Sequence, residues 1–173
     1  LSDADGAHTI AFSAVDVLGN ASAAQSLSVA VDNTGPAASA ALSPAPNAAG
    51  WNRTDVTVKW SGADAGAGLA SCDAPTPVTT EGASQSVQGS CSDLLGNAST
   101  ATALVSIIKT PPSITASRSP AANGYGWSAS AVTVSFACLG VLGAGACPGV
   151  VTLNEGAGQS AAGSVTDLAG NTS

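Results

Sequence analysis

The chain has 173 residues and a formal net charge of −7, and its four basic residues, Arg53, Lys59, Lys109 and Arg118, lie far apart. That excludes a nucleic-acid interface, which needs a basic face, and disfavours docking on an anionic membrane. Aromatic residues are 3% and charged residues 9%, with 20 Gly, 9 Pro and no Met, which points away from long helices and towards small β-rich modules with thin, Ala-rich cores. There is no apolar run of about 18 residues to insert into a membrane. A chain that begins with Leu and shows no signal peptide reads as a processed chain or a fragment of something longer.

In chain order, "HTIAFSAVD" (8–16) alternates and predicts a strand with Ile10, Phe12 and Ala14 on one face. It runs into "VDVLGNAS" (15–22), which recurs as "SDLLGNAS" (92–99) and "TDLAGNTS" (166–173). In this D-x-x-G-N phrase the Asp side chain caps a turn, and Gly and Asn are expected at left-handed positions. Next come strands predicted at about 37–42, 55–61, 75–80, 84–92 and 99–109. In the second, "VTVKW" places Val56, Val58 and Trp60 on one face. In the last, the inward set is either Leu104, Ser106 and Ile108 or Val105 and Ile107. A sixth, short strand is compatible with the spacing. The pairs Asp5-Gly6, Glu81-Gly82 and Glu155-Gly156 separate strand-like runs and read as hairpin turns.

The same order then starts again. "SLSVAVDNTGPAASAALSPAPNAAGW" (26–51) aligns with "ALVSIIKTPPSITASRSPAANGYGW" (103–127), and "TDVTVKW" (54–60) with "SAVTVSF" (130–136), whose inward face is Val132, Val134 and Phe136. "VTTEGASQS" (78–86) aligns with "VTLNEGAGQS" (151–160). Internal similarity with a period of about 75 residues divides the chain into the last two strands of one repeat (1–34), a complete repeat (35–110) and a repeat without its last strand (111–173). Five antiparallel strands put the two ends of a repeat at opposite poles, so the repeats stack end to end. The D-x-x-G-N turn lies at one pole. The Glu-Gly turn and the Asn/Gly/Trp loop lie at the other.

Four cysteines fall two to a repeat, which in a small β module predicts disulfides and an oxidising compartment. The pairs expected from the topology are Cys72–Cys91 and Cys138–Cys147, all four at the D-x-x-G-N pole. Each bridge stabilises by roughly 2–4 kcal/mol in the chain-entropy model. A metal site on these thiols lacks both a nearby His and C-x-x-C spacing.

These phrases resemble the immunoglobulin-like tandem repeats of large bacterial extracellular and cell-surface proteins of the adhesin type. There a repeat ends in D-x-x-G-N-x-S/T, a strand and a V-D-x-T-x-P linker. Here the linkers read "VDNTGP" and "IIKTPP", and Lys109 stands near the acidic place held by Asp32. The resemblance implies all-β, Ig-like β-sandwich repeats, an extracellular or cell-surface location, a stalk or binding role, and no enzymatic activity. It also implies Ca²⁺ at a junction between repeats. The residues expected to converge at the first junction are Asp32, Asp64 and Asp93, whereas the second offers Lys109 and Asp167. No other cofactor is expected.

Other positions are read more plainly. His8 is the only histidine and lies in a strand where Gln85 and Gln159 are its equivalents, so it reads as structural. There is no G-x-S-x-G nucleophile, and Glu81 and Glu155 belong to different repeats and cannot act as one acid–base pair. Trp51 and Trp127 read as packing anchors, with sugar stacking as the functional alternative. Asn20, Asn52, Asn97 and Asn171 head N-glycosylation sequons. The leading expectation is a structural spacer whose partners are neighbouring repeats or copies of itself, with a surface glycan or protein as a further ligand. A second is a filament subunit in which residues 21–33 of another chain complete 111–173 by strand addition. A third is a carbohydrate-binding module.

Overall fold

The computed structural model describes residues 4–140 and 146–173. Every regular element among them is a strand. β1 (Gly6–Phe12) and β2 (Gln25–Val31) form an antiparallel hairpin with Gly6 opposite Val31 and Phe12 opposite Gln25. Six strands follow: β3 (Ala37–Ser43), β4 (Val56–Ala63), β5 (Leu69–Cys72), β6 (Thr76–Val78), β7 (Gly82–Asp93) and β8 (Ala98–Ile107). They make two three-stranded sheets, ordered β3-β4-β6 and β5-β7-β8. A last sheet, ordered β11-β10-β9, is built from β9 (Ser113–Ser119), β10 (Val132–Leu139) and β11 (Val151–Leu153).

The strands form where β-branched residues alternate with small polar ones, which suits a pleated surface covered on one face. Val56, Val58 and Trp60 are buried. In β8 the buried set is Ala103, Val105 and Ile107, and Leu104 stays 64% exposed. Ile108 is buried as well because it lies beyond the end of the strand.

The backbone gathers into two compact units. One comprises Leu1–Ser43, Val58–Thr76 and Ser86–Leu104, the other Pro44–Thr57, Pro77–Gln85 and Val105–Ser173. In the first, Trp60 lies over Gly89 and donates its indole N–H to Thr76 Oγ1 at 3.2 Å. Cys72 and Cys91 are register partners on β5 and β7 and are joined by a disulfide. In the second, Asn52 is buried, bonds through its backbone to Ser106 and Ile108, and donates its amide to the carbonyls of Pro44 and Ala45. Cys138 and Cys147 are joined there, and Phe136 lies against Gly163 much as Trp60 lies against Gly89.

Four features differ from the sequence reading. The Glu81-Gly82 corner closes no hairpin, because β6 and β7 belong to different sheets. The predicted strand 75–80 is shortened to β6, and β5 precedes it as a separate strand in the opposite sheet. In the D-x-x-G-N turns only Gly takes the left-handed conformation (Gly19, Gly96 and Gly170, φ 88° to 90°). The Asn has a different use, described below. Beyond β11, the run aligned with β7 forms no ladder and makes only the single bridge Thr166–Thr172. Val132 and Phe136 remain half-buried there, where Val56 and Trp60 are buried.

A methyl group on Gly89 would fall inside van der Waals contact of the Trp60 ring, while one on Gly124 would meet nothing within 4 Å. Overpacking of this kind costs roughly 1–3 kcal/mol. Gly89→Ala is therefore expected to lower the unfolding free energy by that amount, read as a fall in the urea midpoint at unchanged slope, and Gly124→Ala to leave the midpoint close to the parent value.

Candidate functional site

The recurring turn is held by one carboxylate. Asp93 Oδ1 accepts the N–H groups of Leu95 and Asn97 at 2.9 and 2.8 Å, and Oδ2 accepts Asn97 Nδ2 at 2.7 Å. Asp16 does the same with Leu18 and Asn20, and Asp167 with Asn171. The Asn is therefore placed by its amide and needs no unusual φ. Its second N–H is free to reach outward: Asn97 Nδ2 donates to the Asp32 carbonyl at 3.1 Å and Asn171 Nδ2 to the Ile108 carbonyl at 2.9 Å.

Those two carbonyls belong to the linkers "VDNTGP" and "IIKTPP", so the true counterpart of Asp32 is Ile108. Lys109 corresponds to Asn33. Each linker is gripped from both sides. Asp5 accepts the Asn33 N–H at 2.7 Å and the Thr34 hydroxyl, while from the following segment Asn97 binds Asp32 and Ser99 Oγ donates to the Pro36 carbonyl. Glu81 Oε1 accepts the N–H groups of Lys109 and Thr110, both at 2.6 Å, and the Thr110 hydroxyl at 3.0 Å. Asn171 binds Ile108, and Ser173 Oγ donates to the Pro112 carbonyl at 2.6 Å. Lys109 Nζ adds an ion pair to Asp55 at 2.8 Å. The acid of the Asp-Gly or Glu-Gly corner is thus a linker clamp.

His8 supports the same corner. Its Nε2 donates to the Ala4 carbonyl at 2.7 Å, as Gln85 does to Thr80 and Gln159 to Asn154. The carbonyl in each case precedes the acid. Nothing in the sequence alone identified Asp5 and Glu81 as clamps, because their partners lie 28 or 29 residues further on.

Asp32, Asp64 and Asp93 come together beside the first linker, with one carboxylate oxygen from each within 4.8 Å of the others. Backbone donors hold them in place. Asp32 Oδ2 accepts Ala67 N at 2.5 Å, and Asp64 Oδ1 accepts Gly66 N and Gly68 N at 3.0 and 2.8 Å. Gly66 lies against the Asp32 carboxylate, where a Cβ would collide with it. An all-oxygen donor set suits a hard cation, and Ca–O distances of about 2.3–2.6 Å let one ion reach three oxygens spaced this way. Among the described residues no such set forms at the second linker, where buried Ile108 replaces Asp32.

The four sequons are not equivalent. Asn52 is buried with its amide bonded, and Asn97 and Asn171 hold linker carbonyls. Asn20 is exposed and binds only Asp16. Trp51 is half-buried, whereas Trp127 is 57% exposed. No helix among the described residues is long and apolar enough to cross a membrane. Comparison with known protein families, with curated proteins and with solved structures finds no match.

Hydrogen bonds from the Thr34 hydroxyl and the Asn33 N–H hold Asp5 below the ordinary carboxylate range, and the Asn20 amide and backbone do the same for Asp16. For Asp93 and Glu81, desolvation pushes upward and is outweighed, by Asn97 and the turn N–H groups in one and by Thr110 and Lys109 in the other. A carboxyl whose pKa is lower folded than unfolded stabilises fully above its unfolded value, here 3.8 for Asp and 4.5 for Glu, and loses that contribution as pH falls through the folded value. The urea midpoint is expected to be level above about pH 5 and to decline below it. Glu81→Gln is expected to make that decline shallower. A midpoint that rose on acidification would contradict the assignment.

Proposed function

We propose that the chain is a run of tandem Ig-like β modules from a secreted or cell-surface fibrous protein, and that its work is to hold whatever it joins at a fixed distance. The observation that supports this is the double grip on each linker. A flexible tether leaves its linker amides in water. Here the acid of the preceding module and the Asn and Ser of the following one take the amides, hydroxyl and carbonyls of the same few residues. Each compact unit is centred on one linker and contains what flanks it on either side. Two disulfides suit an oxidising, extracellular setting.

Backbone ¹⁵N relaxation tests the spacer directly. Amides of Asn33, Thr34, Lys109 and Thr110 are expected to show order parameters near the rigid value of about 0.85. Glu81→Ala should release Lys109 and Thr110 towards the flexible range, below about 0.6, and leave Asn33 and Thr34 unchanged. Mobile linkers in the parent chain would sink the reading.

The acidic cluster adds a second element to the proposal: Asp32, Asp64 and Asp93 take a Ca²⁺ ion that stiffens the first linker. Calcium is expected to raise the melting temperature of the parent chain. Asp32→Ala should remove the increment and Asp167→Ala should retain it. An increment that survived Asp32→Ala would place the ion elsewhere.

A further inference from the structure

Strand β8 pairs with β7 on one side and with no strand on the other. The bond from Asp93 N to the Asn97 carbonyl opens the β7–β8 ladder. Alternate residues of a strand bond to opposite sides, so Ser99, Ala101 and Ala103 turn their N–H and C=O groups towards β7. Thr100, Thr102, Leu104 and Ser106 turn theirs to the outer edge. Both ends of that edge are occupied. Gly35 of the first linker lies on the Ala98 backbone, where a Cβ would collide, and Ser99 Oγ donates to the Pro36 carbonyl. At the far end Asn52 N donates to the Ser106 carbonyl at 2.9 Å, in a parallel bridge to Ile107. Between these two covers, the outward groups of Thr100, Thr102 and Leu104 have no partner among the described residues.

Sheet edges are ordinarily blunted by a charge, a proline or a bulge. β8 reads ASTATALVSI and carries no charged residue, no Pro and no Gly. A second copy of the open stretch, run antiparallel, matches it group for group. Opposed residues that face each other across such a pair exchange both of their bonds. Centred on Thr102, the register sets Thr100 against Leu104 of the copy and Thr102 against Thr102 of the copy, and all the outward groups are met. Moving the centre to Ala101 or Ala103 would bring Ala98 or Ser106 into the ladder, where Gly35 and Asn52 already stand. The Thr102 register also places Thr on Thr, a combination that favours sheet pairing, and it covers Leu104, which is 64% exposed in the single chain.

We propose that the outer edge of β8 docks on β8 of a second copy of this chain, the two strands running antiparallel about Thr102 in one continuous sheet. The contact goes beyond the spacer reading and does not rest on it. Both partners offer the same surface, so the contact is isologous and closes as a pair. Three residues from each copy make a small ladder, so pairing depends on concentration.

Two measurements on the full chain test it. In sedimentation equilibrium the weight-average mass is expected to rise with concentration and level at twice that of the single chain, with a Kd between about 10 μM and 1 mM. In amide hydrogen exchange, Thr100, Thr102 and Leu104 are expected to slow as concentration rises, whereas Ala101 and Ala103, already bonded to β7, keep their rates. Thr102→Lys and Thr102→Glu each set like charges opposite one another, and each is expected to weaken pairing about fivefold or more. An equimolar mixture of the two variants is expected to restore it, since Lys then faces Glu. Thr9→Lys, at an exposed position of β1, is expected to leave it unchanged. A chain that stays monomeric at about 1 mM, a mass that climbs past two copies, or exchange that slows at Ala101 as much as at Thr102 would overturn the proposal. So would a loss with Thr9→Lys equal to that with Thr102→Lys, or a mixture that pairs no better than either variant alone. A monomeric chain with rigid linkers would sink this contact and leave the spacer reading standing.

Discussion

An aspartate that accepts three hydrogen bonds is the constraint on which the described structure turns. In Asp93 one oxygen takes two backbone N–H groups and the other takes the Asn97 amide. Only a carboxylate can do this, since an amide would set a donor against a donor. The arrangement fixes the hairpin turn and at the same time orients the Asn. One N–H of that Asn faces the Asp, and the other faces the linker carbonyl of Asp32. Turn geometry and linker geometry are therefore one problem with one solution, repeated at Asp167, Asn171 and Ile108.

Such a device matters in a chain with so little large apolar material. Aromatic residues are 3% of the sequence, and much of the apolar content is Ala, which buries little area per residue. The few large side chains are matched to glycine, as Trp60 is to Gly89 and Phe136 to Gly163. What the cores lack is made up by hydrogen bonds to charged acceptors, which are roughly twice as strong as neutral ones, and by disulfides that restrict the unfolded chain. The cost is a dependence on ionised carboxyls at every joint.

The sequence was most legible where chemistry is local. Period-2 alternation located β4, β8 and β10, and the D-x-x-G-N phrase located its turns, because both signals lie within a few residues. The cysteine pairs Cys72–Cys91 and Cys138–Cys147 are close in the chain, and the structure joins them. Legibility failed where a residue's partner is distant. Glu81 looked like a hairpin residue, since Glu-Gly commonly starts one. Its role appears only when Lys109 and Thr110 arrive from 28 and 29 residues away. Asn52 looked like a glycan acceptor until burial and two backbone carbonyls claimed its amide. The choice between the two faces of β8 was open in the sequence because both carry apolar side chains, and packing alone decided for Val105 and Ile107.

The two linkers also show how one geometry accommodates two chemistries. The position whose carbonyl receives the Asn amide is Asp32 in one and Ile108 in the other. That bond uses the backbone, so it is indifferent to the side chain. The side chain is then free to vary, and it does so in opposite directions. Asp32 projects its carboxylate onto Ala67 and towards Asp64 and Asp93. Ile108 is buried, and Lys109 beside it pairs with Asp55. The first linker gathers three carboxylates, and the turn donors around Asp93 favour its ionised form. The second is held by apolar burial and an ion pair of its own. The same Asn-to-carbonyl bond is thus kept at both linkers, while the side chain on the accepting residue is a clustered carboxylate in one and a buried apolar group in the other.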